Sequence, residues 1–270
     1  MSKVSIILPT LNRLELLKKS IESVLMQTYV DWELHVIDDA STDGTYEYMN
    51  SLKNERIIYH RVKLNGVEGI SKYLNYGIEK SNGEYIARLD DDDYWCDENK
   101  LQKQLNFLDS HPDYFAVGGG IIMIDEKGNE LFRYLKRKND NEIRNNALFA
   151  NPFSHTTVMF RREEAINVGL YTMPYIEDWN LWLKMGEHGK FYNFQEYFTK
   201  YLSAGQNNSL KIQKKLSRQI LKLLNEFKNI YPGYHKAYLL NCFQYIYSFL
   251  PLFLRKPLQS RLYYFKRKFF

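Results

Sequence analysis

The sequence is poor in cysteine, which restricts both its chemistry and its surroundings. Its 270 residues include only Cys96 and Cys242. Two cysteines so far apart form neither a disulfide framework nor the paired spacing of a structural metal site. The sequence therefore predicts a reducing, cytoplasmic setting.

Signals for export and for two common phosphate-binding loops are also missing. The apolar run near the start, Val4–Leu8, is too short for the hydrophobic region of a signal peptide, so we expect no export. No G-x-G-x-x-G follows the first predicted strand, and no G-x-x-x-x-G-K-[ST] occurs anywhere. Any nucleotide must therefore be bound by other groups.

Negative charge is scarce in the last part of the chain. Residues 211–270 contain 13 Lys and Arg but only one acid, Glu226, which gives a net charge of +12, whereas residues 1–210 carry −7. The chain thus has an acidic body and a basic tail. The 44% of apolar residues can form the core of one large domain with an appendage.

The first hundred or so residues alternate between short apolar runs and helical patterns. Runs rich in β-branched residues predict strands, and apolar residues at helical spacing predict helices. Such alternation indicates right-handed βαβ units and a parallel sheet. The predicted strands are 4–8, 33–37, 56–60 and 84–89, and the predicted helices are 14–26, 45–52 and 70–80.

The pattern is less regular further along. We predict a helix over 97–111, strands over 115–124 and 130–134, a loop and then a strand over 151–160, and a helix over 177–187. Helical patterns dominate from Ser209 onward, where acids also disappear. We therefore expect an α/β domain at residues 1–208 and a basic, aromatic helical extension at residues 209–270.

Acidic residues cluster where two predicted strands end, at the edge where open α/β sheets bind ligands. The second strand is followed by Asp38, Asp39 and Asp43, and the fourth by Asp90–Asp93. An isolated aspartate such as Asp43 is typical of a turn or a helix cap. Four consecutive carboxylates are not, because they repel one another and raise each other's pKa unless a cation neutralises them.

A divalent metal is the simplest cation for the run Asp90–Asp93. Mg²⁺ and Mn²⁺ prefer oxygen ligands, commonly one or two carboxylates together with substrate phosphates. An EF-hand loop starting at Asp90 is excluded, because Trp95 and Leu101 stand where its glycine and glutamate would be. A solvated acidic turn is the remaining alternative.

A third acidic element, Glu177-Asp178, opens the predicted helix at 177–187. Acids at a helix start are often there because the helix dipole favours them. The functional alternative is a general base, since a sugar hydroxyl that attacks an anomeric carbon must lose its proton as the new bond forms.

Taken in order, five segments resemble the motifs of family 2 inverting glycosyltransferases of the GT-A fold, the bacterial type that assembles lipopolysaccharide, capsule and related glycans. The resemblance covers about residues 3–205, and five segments in family order weigh against the solvated-turn alternative. It implies a Rossmann-like nucleotide-binding mixed sheet flanked by helices. The segments are VSIILPTLNR at 4–13, IDDASTDGT at 37–45, GEYIARLDDDD at 83–93, NPFSH at 151–155 and ED at 177–178.

The resemblance implies roles on the donor side of the site. Asp39 matches the carboxylate that accepts a hydrogen bond from the nucleobase, and His155 matches a loop histidine near donor and acceptor. For His155, a ring that is satisfied by the backbone is the alternative. The loop around the nucleotide is implied to contain Pro9, Thr10 and Arg13.

The resemblance also implies a metal site and a base. Asp90, Asp91 and Asp92 match the D-x-D motif: Asp92 would bind Mn²⁺ or Mg²⁺ directly, Asp90 would contact ribose or sugar, and Asp91 would belong to the nucleotide-sugar site. Asp93 would support the metal shell. Asp178 matches the base, and Glu177 beside it would shape the acceptor site.

The implied reaction is a single in-line displacement. The metal and its ligands would stabilise negative charge on the leaving nucleoside diphosphate. Asp178 would deprotonate the acceptor hydroxyl from the opposite face of the sugar. The reaction would invert the anomeric carbon and give a β-linkage from an α-linked donor.

The chain departs from the family pattern in two places. Many relatives have an arginine two residues before the glycine of the third helix, but this chain has Leu74 and Asn75 there, so Lys72 is assigned to the phosphates. Relatives often end the domain with Tyr-Arg and a histidine, which residues 201–206 lack. Closure over the donor would then need other groups, such as Gln206, Asn207 or Lys211.

Two other functions stay open. A sugar nucleotidyltransferase can share the core and paired acids, but it needs a basic triphosphate loop near the first strand, where this chain has only Arg13. A catalytically silent glycan- or membrane-binding module could keep the same fold. The presence of Asp39, Asp92 and Asp178 argues against that loss of activity.

The expected partners follow from this interpretation. They are a nucleotide-sugar donor, for which we expect a UDP-sugar, and a glycan or polyprenyl-linked (lipid-linked) glycan acceptor of cell-surface polysaccharide biosynthesis. We expect no nucleic acid partner.

The tail predicts a further partner. Its apolar stretch at 238–254 is interrupted and shorter than the roughly 20 residues of a membrane span. Basic and aromatic residues then alternate, which is typical of a segment that lies on an anionic membrane surface, here at the inner face of the cell membrane. The alternative is a helical pair packed on the catalytic domain or on a second subunit of a homodimer.

Overall fold

A computed structural model describes residues 2–64, 69–203 and 208–250, with the backbone alone at 208–211. Strands and helices alternate through the first part, as expected from the periodicity. The strands are β1 (Val4–Thr10), β2 (Trp32–Asp38), β3 (Ile57–Arg61), β4 (Tyr85–Arg88), β5 (Tyr94–Trp95), β6 (Tyr114–Ile124), β7 (Glu130–Tyr134), β8 (Met159–Arg161) and β9 (Lys190–Leu202). The helices are α1 (Leu14–Leu25), α2 (Thr45–Ser51), α3 (Gly69–Lys80), α4 (Lys100–Ser110), α5 (Asp140–Asn146), α6 (Arg162–Asn167), α7 (Glu177–Gly186), α8 (Asn208–Glu226) and α9 (Tyr234–Tyr247).

The strands form one mixed sheet in the order β3-β2-β1-β4-β8-β6-β9-β5, with β7 paired to β6. The prediction of parallel pairing is correct for β3, β2, β1 and β4, which helices connect. Beyond them the sheet is mixed, because β8 runs antiparallel to both β4 and β6, whereas β6 and β9 are parallel. The chain enters β8 from a short 3-10 helix at His155–Thr157 and not through a crossover helix.

Helices cover both faces of the sheet. On one face, α1 and α4 pack their apolar sides against β1 and β2, in a cluster that includes Leu17, Ile21, Leu101 and Leu105. On the other face, α3 and α6 pack near Trp182 of α7, whose ring contacts the Phe153 and Phe160 rings edge-on. The sheet is therefore the middle layer of three, and its strand ends remain available for a ligand.

The longest strand, β9, has no counterpart in the predicted elements. Its sequence KFYNFQEYFTKYL mixes aromatic, polar and charged residues and contains no continuous apolar run. It is held in the sheet by parallel pairing to β6 and by the buried Asn193, whose Nδ2 donates to the carbonyls of Arg137 and Pro152 at 2.9 and 3.1 Å. These are tertiary contacts, so local periodicity does not reveal them. The short elements β5, α5 and α6 were missed as well.

The helices after residue 208 pack on the α/β domain. A buried cluster joins Leu223 and Leu224 of α8, and Phe227 just after it, to Leu148 and to Trp179 and Leu183 of α7. The predicted alternative of a helical pair packed on the catalytic domain therefore describes α8 and the inner side of α9. Residues 204–207, which adjoin the predicted boundary, and the tail at 251–270 lie outside the described residues, so the domain boundary stays a prediction.

Two simpler expectations can be compared with the structure. Cys96 and Cys242 are both free thiols, Cys96 being exposed and Cys242 half-buried. In the ranges 2–64, 69–203 and 208–250, no helix combines the length and apolarity needed to cross a bilayer.

Candidate active site

The loops after β1 and β2 are tied together at the edge of the sheet. Asn12 adopts a left-handed conformation with φ of 52°, and its side-chain oxygen accepts a hydrogen bond from the Thr42 amide at 2.8 Å. The Asp39 amide donates to the carbonyl of Thr10 at 3.0 Å. Pro9, beside Thr10, pairs with Ile37 in the sheet. The β1 loop and Asp39 are therefore neighbours, as the sequence motifs implied.

The adjacent acids Asp38 and Asp39 have different environments. Asp38 is fully buried and accepts hydrogen bonds from the Ser41 amide, the Ser41 hydroxyl and the Tyr59 hydroxyl, so its oxygens serve the fold. Asp39 is half-buried. Burial, together with a hydrogen bond to Asp39, raises the pKa of Tyr73 to about 12. Asp39 is the carboxylate of the pair that a ligand can reach.

The aspartates after β4 share two arginines. Arg88, only 1% exposed, donates through Nη2 to Asp90 at 2.5 Å. Arg13, directly before α1, contacts Asp91 at 3.0 Å and Asp92 at 2.7 Å. Two cations therefore compensate part of the charge of the four aspartates at this point.

The fourth aspartate has a separate environment. Asp93 is 1% exposed, and its Oδ1 accepts a hydrogen bond from the Leu202 amide of β9 at 3.1 Å. Its Oδ2 is buried and makes no hydrogen bond of ordinary geometry among the described residues, although the Thr156 hydroxyl acts to lower the pKa of Asp93. An unsatisfied carboxylate oxygen so close to the other acids is costly unless the group is protonated or a cation lies near it.

Burial and mutual repulsion determine how these acids ionise. Burial raises the pKa of Asp91 to about 6, an effect that Arg13 and Thr10 partly offset and that Asp92 increases. Burial and the negative charge of Asp90 raise the pKa of Asp92, and the same causes raise that of Asp93 well above its usual range. Burial opposes ionisation of Asp90 too, but Arg88 and His155 hold its pKa below the usual value. The cluster therefore favours binding of a cation.

The residues fit the metal that the D-x-D resemblance implies. Over residues 2–64, 69–203 and 208–250, no three His, Cys, Asp or Glu side chains form a metal-binding group on their own. Mg²⁺ and Mn²⁺ at nucleotide sites commonly take one or two carboxylates and complete their shell with phosphates and water. The partly exposed Asp92 and the unsatisfied oxygen of Asp93 suit that smaller donor set.

A second acidic pair lies at the start of α7. Asp178 accepts hydrogen bonds from Asn151 Nδ2 and from the Trp179 amide, both at 2.7 Å. Burial and the negative charge of Asp178 raise the pKa of Glu177 to about 7, and Glu177 Oε2 is buried with no partner in the described structure. Both carboxylates are half-buried.

His155 lies between the two acidic groups. Its Nε2 is 2.8 Å from the Tyr171 hydroxyl, so a side chain satisfies it, and not the backbone as the alternative supposed. Burial and the nearby Arg88 lower the pKa of His155 to about 4, while Asp178 and Asp90 act in the opposite direction. A neutral His155 is therefore close to both the β4 acids and the α7 acids.

The structure thus brings the predicted residues together in two groups. One group contains Thr10, Arg13 and the acids after β4, and the other contains His155, Glu177 and Asp178. Lys72, on the first turn of α3, is exposed and makes no contact to either group that the structure records. Gln206 and Asn207 lie outside the described residues, and Lys211 is described only by its backbone.

Several residues of the site were not predicted. Arg88 is a buried counter-ion for Asp90, and its only sequence signal is a cation inside an otherwise apolar strand. Asn151 orients Asp178, and Tyr171 orients His155. Lys136, whose Nζ donates to the Asn151 carbonyl at 3.0 Å, adjoins the same acids. Apart from Arg88, which is two residues from Asp90, these residues are 15 to 27 positions from their partners, so spacing along the sequence does not connect them.

Comparison with known proteins identifies the family of these motifs. The model described as Glycosyl transferase family 2 matches residues 5–169. The putative glycosyltransferase EpsE of Bacillus subtilis is 36% identical over 202 residues, which cover 72% of this chain and 70% of EpsE. An Escherichia coli enzyme, the UDP-Glc:alpha-D-GlcNAc-diphosphoundecaprenol beta-1,3-glucosyltransferase WfaP, is 32% identical over 193 residues, 70% of this chain and 72% of WfaP.

A solved structure shows the same fold at low identity. The mannosyltransferase PcManGT from Pyrobaculum calidifontis, in complex with GDP-Man and Mn²⁺, aligns with a TM-score of 0.65 and 17% identity. The alignment covers 92% of this chain and 73% of PcManGT. The likeness of the two structures therefore concerns the arrangement of the mixed sheet and its helices.

The raised pKa of Asp91 predicts how stability depends on pH. Its value of about 6 in the folded protein lies above the roughly 3.9 of an unfolded aspartate. The folded state then binds the proton more tightly, so stability falls as the pH rises between these values. Asp91→Asn should therefore stabilise the protein at pH 7.5, by up to about 3 kcal/mol, and much less near pH 4.

Urea unfolding of both proteins at the two pH values, in buffer with chelator, measures this difference. Asp125→Asn is the control, because hydrogen bonds from Asn129 lower the pKa of that exposed acid. The control should show no gain at pH 7.5. An Asp91→Asn variant that is equally destabilised at both pH values would contradict the prediction.

Proposed function

The chain belongs to glycosyl transferase family 2 and is a glycosyltransferase with the GT-A fold, and from this premise we propose its reaction. It transfers a sugar from a nucleotide-sugar donor to a hydroxyl of a glycan acceptor, in a metal-dependent, inverting reaction of cell-surface polysaccharide biosynthesis. One observation carries the proposal: two separate carboxylate groups, Asp90–Asp93 and Glu177–Asp178, lie close enough for Asp90 to raise the pKa of Glu177, and both act on His155. The first group suits the metal that binds the leaving diphosphate, and the second suits a base that activates the attacking hydroxyl.

The donor is a UDP-sugar in this proposal. Asp39, half-buried beside the Thr10 loop, accepts a hydrogen bond from the base. Support comes from WfaP, whose name specifies UDP-Glc as its donor. PcManGT was solved with GDP-Man, so the nucleotide varies within this fold. A panel of UDP-, GDP- and dTDP-sugars, screened for hydrolysis and transfer, tests the assignment.

Each acidic group has its own task in the proposed mechanism. Asp92, supported by Asp93, would hold Mn²⁺ or Mg²⁺, which supplies positive charge to the leaving diphosphate. Arg13, which contacts Asp91 and Asp92, would bind the same phosphates. Asp178, oriented by Asn151, takes the proton from the acceptor hydroxyl. Attack from the side opposite the leaving group inverts the anomeric carbon.

The two alternative functions predict different products. A sugar nucleotidyltransferase releases pyrophosphate from a nucleoside triphosphate, and a silent binding module does neither reaction. Release of UDP from a UDP-sugar with formation of a glycoside distinguishes this proposal from both. The Glu177–Asp178 pair favours glycosyl transfer, because that reaction needs a base to remove the proton of the acceptor hydroxyl. A nucleotidyl transfer needs no base at that position.

The first test separates the two acids of α7. Asp178→Asn keeps the size of the side chain but removes the base, so turnover should fall by at least about 100-fold while nucleotide affinity stays unchanged. Glu177→Gln is the matched variant, since it removes a neighbouring carboxylate. It should raise the acceptor KM with a smaller loss of turnover. A Glu177→Gln enzyme that is inactive beside an active Asp178→Asn enzyme would reverse the two roles.

The second test concerns the metal. Asp92→Asn should reduce Mn²⁺ affinity in the presence of UDP by about tenfold or more, because a direct anionic ligand is lost. Calorimetric titration of Mn²⁺ measures the change, with Asp125→Asn as the control for an acid remote from the cluster. Chelation should abolish transfer and added Mn²⁺ or Mg²⁺ should restore it. Full activity in chelator would refute metal dependence.

We also propose that the C-terminal helices bring the enzyme to the inner face of the cell membrane. One side of α9 exposes Leu239, Phe243 and Ile246, each about 60–70% accessible, at helical spacing. Cations of α8 lie nearby, and Lys214 Nζ is 4.2 Å from the centre of the Phe249 ring. Apolar residues flanked by cations suit an anionic lipid surface and an acceptor on a lipid carrier.

Vesicle co-sedimentation tests this surface. Phe243→Asp should reduce binding to vesicles containing anionic lipid several-fold, because it places a negative charge among the apolar contacts. Leu131→Asp is the control, since Leu131 is a comparably exposed residue of β7. If Phe243→Asp instead converts a dimer to a monomer, as seen by light scattering, and leaves lipid binding unchanged, α9 is a subunit interface.

A further inference from the structure

A large cavity adjoins Asp178 and contains none of the residues assigned to the donor. Its volume is about 700 Å³, and its walls come from the segment between β7 and α5, the loop before the 3-10 helix, strand β9, and helices α5, α7, α8 and α9. Asn151 lines this cavity and also donates to Asp178 at 2.7 Å. The cavity therefore opens beside the residue that we assign as the base.

Three consecutive cations, Lys136, Arg137 and Lys138, line the cavity. Their backbone is fixed on β9: the Asn193 side chain and amide donate to the carbonyls of Arg137 and Lys138, and Gln195 Nε2 donates to that of Lys136. The cations are thus presented by a segment that is anchored on the sheet. Such anchoring reduces the entropy lost when a ligand binds.

No carboxylate in direct contact neutralises these charges among the described residues, although Asp178 acts on Lys136 to raise its pKa. No carboxylate of the described residues forms an ion pair with any of the three. The only acid of the lining, Glu142, already accepts hydrogen bonds from the Lys138 amide and from Asn139 Nδ2, at 3.1 and 3.0 Å. Burial lowers the pKa of Lys136 to about 8, which a bound anion would oppose.

The other lining residues suit a sugar. Trp179 and Phe149 provide aromatic surface, and Asn151 and Gln195 provide amide groups. A sugar with a hydroxyl at Asp178 would extend from Asn151 into the cavity, towards the cations. The donor diphosphate has its own place at the acids after β4, so these cations are available for a second anion.

We propose that this cavity binds the acceptor and that Arg137 and Lys138, with Lys136, bind a diphosphate attached to the acceptor sugar. This rests on the proposed function and specifies its acceptor as a glycosyl diphosphate. A diphosphate is favoured over the single carboxylate of an acidic glycan because three adjacent cations match several charged oxygens. Arg binds phosphate oxygens in pairs, and Lys supplies a point charge.

The experiment compares two acceptors that differ only in the diphosphate. One is α-GlcNAc diphosphate on a short alkyl chain, and the other is the alkyl α-GlcNAc glycoside. Arg137→Gln/Lys138→Gln should raise the KM for the diphosphate acceptor by at least tenfold, with little change in kcat or in the donor KM. The KM for the glycoside should not change. Lys127→Gln, in the turn between β6 and β7, is the matched control outside the cavity.

Three outcomes would overturn the proposal. One is an unchanged KM for the diphosphate acceptor in the double variant. Another is an equal rise in KM for both acceptors, which would mean that Arg137 and Lys138 maintain the shape of the cavity and do not bind the diphosphate. The third is a wild-type enzyme that prefers an acidic glycan without diphosphate.

A direct binding measurement separates this proposal from the proposed function. Calorimetric titration with an alkyl diphosphate, in the presence of saturating UDP and Mn²⁺, should show binding to wild type and at least tenfold weaker binding to the double variant. This measurement tests diphosphate binding in the cavity even if the enzyme transfers no sugar. A wild type that neither hydrolyses nor transfers any nucleotide sugar refutes the proposed function alone, and one that binds no alkyl diphosphate refutes the cavity proposal alone.

Discussion

Repulsion among carboxylates at the end of β4 is the constraint on which the site depends. Four aspartates follow one another on a single loop, and the protein compensates them from two directions. Arg88 does so from inside the sheet and Arg13 from the first residues before α1. The compensation is incomplete, as the unsatisfied oxygen of Asp93 shows. The loop is therefore held in a state that gains stability from a further cation, which is how a binding site can be built before its ligand arrives.

The sequence allowed the first half of the fold to be predicted because each strand and helix there carries its own signal. Val4–Thr10 is entirely buried and rich in β-branched residues, and the apolar residues of α1 recur at helical spacing. β9 could not be predicted, since Asn193 and its two carbonyl partners become a unit only in three dimensions. The same limit applies to the reversal of direction at β8, which depends on pairing and not on local composition.

The candidate site was predictable to a similar extent. Acids that follow strands, such as Asp39 and Asp92, stand out in sequence because strand ends meet at one edge of the sheet. Their partners do not stand out. Asn151 and Tyr171 are ordinary polar residues of irregular segments, yet they orient Asp178 and His155. Lys136–Lys138 read as a charged stretch of surface until the hydrogen bonds from β9 place them along a cavity wall.

The position of Trp179 has a consequence for anyone who recombines relatives of this chain. The residue follows Asp178 directly, its Nε1 donates to the Ala147 carbonyl at 2.8 Å, and its ring lies in the cluster with Leu223 and Leu224 of α8. A chimera joined between α7 and α8 would exchange the packing partners of the residue next to the proposed base. Such a graft would alter the orientation of Asp178 without touching any motif of the family. The practical unit of exchange therefore includes α7, and fusion points are better placed before Glu177 than after β9.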